Sequence, residues 1–98
     1  MGVPSNVEHR PETLALISLE AQQRAIGLVS FINSQIPSGQ IEQLLHSPQK
    51  NAIIAAIIEA WGLLFVEYRP ITKDCPSCRG QWYRLIQDRL AALNAVAV

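Results

Sequence analysis

Charge is scarce in this 98-residue chain: 16% of residues are Asp, Glu, Lys or Arg, against roughly 25% in an average globular protein. Combined with an apolar fraction of 49%, this argues against a disordered chain, and without a dense basic stripe nucleic-acid contact through the basic tail is unsupported. Histidine is almost absent. His9 and His46 are the only two and stand 37 residues apart, so paired-histidine metal spacing and a Ser-His-Asp set are both missing. None of the five glycines builds a phosphate-cradling loop. No stretch alternates at period two, so a sheet is not expected. The longest apolar run, residues 52–66, is interrupted by Glu59 and falls short of the ~20 residues that span a bilayer. Two cysteines do not make a secreted disulfide scaffold. The polar N-terminus resembles no signal peptide, and Asn6 stands where myristoylation wants Ser or Thr. A cytoplasmic or otherwise intracellular protein is expected, with no membrane partner.

What is present is helical periodicity. Residues 1–10 read as a flexible or docking arm, broken by Pro4, Ser5 and Asn6, and residues 11–98 as one helical domain. Over residues 11–34, Leu14, Ile17, Ala21, Ala25, Leu28 and Ile32 advance by three or four and share one face. Pro11 suits a first helical turn, and Gly27 is read as the mark of a close helix crossing. After Pro37-Ser38-Gly39 a short helix carries Ile41, Leu44 and Leu45.

Ser47-Pro48 then opens a helix expected over residues 48–68, with the hydroxyl as cap and proline in the first turn. Its apolar side chains surround nearly the whole circumference, which predicts burial on every side. Arg69-Pro70 ends it. A last helix is expected over residues 76–95, with Trp82, Leu85, Ile86, Leu90 and Leu93 inward. The predicted fold is all-α: a small bundle of three long helices and one short one.

Charge is unevenly placed. Residues 1–68 carry three basic and six acidic side chains, and residues 69–98 carry five basic and two acidic, an asymmetry able to steer association. Glu59 is expected to face solvent or to pair with Arg24, Arg84 or Arg89. The candidate contact residues are Ile53, Ile57, Trp61 and Leu64 of the central helix, with Tyr83, Arg84 and Arg89 of the last.

The one local motif is Cys75-Pro76-Ser77-Cys78. This spacing brings two sulfurs together, and the start of a helix beside Lys73 and Arg79 favours thiolate. A zinc site would need two further ligands, supplied if two copies each contributed a pair. With Trp61 upstream, the segment also resembles the flavin-linked sulfhydryl oxidases of the Erv/ALR type and AhpD-like helical proteins, a resemblance implying thiol–disulfide exchange. The AhpD-like pattern places histidine four residues after the second cysteine, where Trp82 stands, and no histidine follows Cys78.

With no catalytic constellation, a non-enzymatic protein–protein interaction or assembly protein is the expected function. It would act as a homo-oligomer, or as a small subunit or adaptor; virion components and small inhibitors fit this profile. Zinc binding or thiol exchange through Cys75 and Cys78 is the alternative, with zinc the one cofactor considered. Helix-turn-helix DNA binding is set aside, because the recognition helix would be too apolar to face phosphates and base edges.

Overall fold

The structure is a computed structural model that describes residues 7–36, 48–68 and 79–96. Four helices follow in chain order: α1 (Pro11–Leu14), α2 (Leu19–Gln35), α3 (Lys50–Leu64) and α4 (Arg79–Val96). The fold is a small all-α bundle of three long helices and one short turn, without a strand among the described residues. The short helix expected around Ile41, Leu44 and Leu45 lies outside the described residues.

The helix expected over residues 11–34 is broken at residues 15–18. Ser18 adopts an extended backbone (φ −67°, ψ 157°) and its hydroxyl accepts a hydrogen bond from the Ala21 N–H at 3.1 Å. It thereby takes up one of the four N–H groups that a helix start leaves without a partner. The break turns both Leu14 and Ile17 inward, 3% and 4% exposed, and leaves Leu16 and Leu19 in solvent. The periodicity therefore identifies the inward residues while missing the interruption.

α3 lies between its two long neighbours: α2 packs along it most extensively, and α4 packs against α3 more than against α2. Its inward side consists of Ile53, Ala56, Ile57, Ala60, Trp61 and Leu64, joined by Ala25 and Ile32 from α2 and by Tyr83, Ile86 and Leu93 from α4. Each fully buried Ile, Leu or Phe contributes about 1.5–3 kcal/mol. Below this layer Trp61 stacks on Phe65 with centroids 3.9 Å apart, and Trp82 meets Trp61 edge-on at 4.5 Å. The edge-on contact is a favoured arrangement for aromatic quadrupoles.

Burial of α3 on all sides does not hold. Ala52, Ala55, Ile58, Glu59 and Gly62 are exposed, because α2 and α4 occupy neighbouring sides and leave the far one uncovered. α3 also stops at Leu64, four residues before the expected end. Phe65 leaves helical geometry (φ −107°, ψ 67°), and a tight turn closed by the Tyr68 N–H on the Phe65 carbonyl follows.

Gly27 is not a crossing point. A Cβ placed there meets nothing within 4 Å, and its φ is not positive. Replacing Gly27 with alanine removes backbone freedom from the unfolded chain without a steric cost. Gly27→Ala is therefore expected to raise unfolding stability by about 0.5–1 kcal/mol, read from chemical denaturation. Ser18→Ala is expected to lower it by about 1 kcal/mol through loss of the cap.

Candidate functional site

Arg89 lies on the inward side of α4, between Ile86 and Leu93, and is fully buried. A guanidinium carries five N–H donors and cannot shed its charge. In this interior all five are used. Nη1 donates to the Leu64 carbonyl at 3.0 Å and to Glu67 Oε1 at 2.7 Å. Nη2 donates to Glu67 Oε2 and to the Glu8 carbonyl, both at 2.8 Å. Nε donates to His9 Nδ1 at 3.2 Å. The guanidinium carbon also sits 4.2 Å from the Phe65 ring centroid, within range of a cation–π attraction.

The early end of α3 follows from this arrangement. The last carbonyls of a helix lack intrahelical partners and carry the negative end of its dipole. Arg89 supplies both a donor and a positive charge to Leu64, and the turn after Phe65 brings Glu67 into bidentate reach of the same group. The charge-assisted fork is the strong form of this bond. Burial pushes the Glu67 carboxyl up, but the hydrogen bond from Arg89, the one from its own backbone N–H and the nearby positive charge outweigh it. The carboxyl is held below its ordinary 4.5.

Tyr83, one helical turn before Ile86, makes the second polar link through the core. Its hydroxyl donates to Asn33 Oδ1 of α2 and lies near the Val29 carbonyl. Loss of water around the ring pushes the phenol up to about 12. Arg24 and Glu59 pair across the α2–α3 seam with Nε to Oε2 at 2.6 Å. That pair is exposed, and the hydrogen bond from Arg24 is the main cause of the lowered Glu59 carboxyl. Of the three arginines expected as partners for Glu59, Arg24 takes the place.

Beside the clamp opens a cleft of about 430 Å³ lined by Glu8, Arg10, Thr13, Glu67 and Tyr68. Its charged walls are already engaged: Arg10 pairs with Glu8 and Arg89 with Glu67. Among the described residues no three His, Cys, Asp or Glu side chains converge as metal ligands. Cys75 and Cys78 lie outside the described residues.

The candidate contact residues need redistribution. Ile53, Ile57, Trp61, Leu64, Tyr83 and Arg89 are each 2% exposed or less, so within a single chain they form the core and offer no surface. Arg84 is exposed on α4. Among the described residues the large apolar side chains that reach solvent are others: Leu16 at 72%, Leu19 at 67%, Ile26 at 53%, Val66 at 46% and Ile58 at 40%. An arginine within an otherwise apolar stripe was the visible signal for a buried charge. Nothing in the spacing pointed to Glu67, His9 or the Glu8 carbonyl as its partners. No protein family matches the chain, and neither does any curated protein or solved structure.

Arg89→Met is expected to lower unfolding stability by about 3 kcal/mol or more, because it strands Glu67 and two carbonyls. Denaturant unfolding reads this directly. Because the folded Glu67 carboxyl sits below its unfolded value, its contribution is complete above pH 4.5 and lost as pH falls through the folded value. Glu67→Gln should flatten that acid limb in thermal scans.

Proposed function

We propose that this chain is a non-catalytic interaction protein that acts as a homo-oligomer or as a small subunit or adaptor of a larger assembly. One observation carries the reading: Leu16 just before α2, and Leu19 and Ile26 on it, stand largely in solvent. Leu19 and Ile26 are seven residues apart and share one side of α2, with Gln22 and Gln23 between them. Ile58 on α3 and Val66 in the turn after it are further uncovered apolar side chains. Each such side chain forgoes part of the about 1.5–3 kcal/mol that full burial contributes. Covering them against another surface recovers it.

The chemistry of the clamp supports the same reading. Its charged groups are committed to one another, which suits a structural joint better than a reacting centre. No helix among the described residues is long and apolar enough to cross a membrane, and the exposed apolar side chains are read as protein-facing. A second reading rests on the spacing of Cys75 and Cys78, which suits zinc or thiol exchange.

Native mass spectrometry of the purified chain, with and without chelator and reductant, separates the two readings. The expected result is an oligomer that carries no metal and survives both treatments. Leu19→Asp combined with Ile26→Asp is expected to convert it to monomer with unchanged helical circular dichroism. A wild-type monomer that forms no complex at any concentration contradicts the oligomer, and a zinc mass increment moves the account to the cysteines.

A further inference from the structure

The segment ahead of α1 is held by few bonds. Arg89 Nη2 donates to the Glu8 carbonyl at 2.8 Å and Arg89 Nε to His9 Nδ1 at 3.2 Å, while Val7 rests against the core. The bond to His9 has a protonation requirement. Nδ1 accepts only with a free lone pair, so the bonded ring is neutral and carries its proton on Nε2. Protonating Nδ1 sets one N–H against another and places two cations side by side, beside a guanidinium that cannot give up its own charge.

The other groups around His9 do not relieve this. Arg89 and Asp88 approach from α4, and Glu67 from the turn after α3. Both oxygens of Glu67 are occupied by the Arg89 fork. Glu8 and Arg10 flank His9 in the chain and pair with each other.

We propose that His9 is an acid-released latch: protonation of its imidazole detaches residues 7–10 from the α3–α4 corner and uncovers the guanidinium of Arg89. Burial and then the charge of Arg89 hold the His9 imidazole below its ordinary 6.5, against the smaller opposing pulls of Asp88 and Glu67. A histidine depressed in the folded state contributes its full stability above its unfolded value and loses it as pH falls through the folded one. The latch thus opens as pH falls through the folded value, which lies below 6.5. The Glu67 effect starts from the lower ordinary value, 4.5 against 6.5 for His9.

Nitrogen-15 NMR of the full chain tests this with a readout specific to the joint. The Arg89 Nε–H resonance and the backbone amides of Val7, Glu8, His9 and Arg10 are followed from about pH 7.5 to about pH 5, the range in which histidine changes charge. The expected result is a hydrogen-bonded Arg89 Nε–H signal that is lost on acidification, while the four amides move to unstructured positions with the midpoint of the His9 ring. His9→Asn, which keeps an acceptor oxygen near the Nδ1 position without titrating, is expected to retain signal and shifts across the range. His46→Asn is expected to behave as wild type. The proposal is overturned if the wild-type signal and amides stay unchanged while the His9 ring titrates, or if His9→Asn releases the segment at the same midpoint. The wild-type titration alone decides the matter if the Asn variant does not fold.

Discussion

A charge that cannot be neutralised and cannot reach water must find every partner within the fold. Arg89 is in that position, and the geometry around it follows from satisfying five donors at once. The end of α3, the turn that presents Glu67, the docking of Glu8 and His9 and the placement of α4 all meet at one planar group. Apolar contacts are non-directional and tolerate small slips between helices. The guanidinium fork tolerates them far less, since a displaced helix leaves buried polar atoms unpaired. Burial of the aliphatic and aromatic core supplies the driving force, and Arg89 fixes how the pieces register. Tyr83 and Asn33 make a smaller version of the same tie between α4 and α2.

This division explains what was legible in the sequence. Faces were legible wherever polar and apolar residues alternate at helical spacing. Leu14, Ile17, Ala25 and Ile32 are buried, although the helix that carries them is interrupted. The interruption depends on Ser18 choosing a cap over a helical turn, and a lone serine in an amphipathic run does not declare that choice. For α3 the pattern carried little contrast: an almost uniformly apolar circumference cannot say which side a neighbour will cover. Ile58 therefore ended outside while Ile57, its neighbour in the chain, is 2% exposed.

The site was the least legible part. Periodicity locates Arg89 on an inward face but is silent on partners drawn from a turn and from the segment before α1. Most of the candidate contact residues fill the core of the single chain for a related reason. Trp61, Tyr83 and Ile53 have the size and apolar character of binding anchors, and those same properties place them in the core of a chain this short. Surface left over after the core is filled is the better guide to association, and here it belongs to Leu16, Leu19, Ile26, Ile58 and Val66. The proposed association rests on those side chains, while the polar joint ties the helices of the bundle together.

The central claim is that Arg89 and Glu67 act as one coupled unit that sets the register of α3 and α4. A double-mutant cycle on unfolding free energy, built from Arg89→Met, Glu67→Leu and the pair, measures that coupling with the single-site effects removed. A coupling of about 2 kcal/mol or more, with the double variant more stable than Arg89→Met alone, is the predicted result. Additive effects, with coupling within about 0.5 kcal/mol of zero, would mean that the two side chains contribute independently and that apolar packing alone fixes the register.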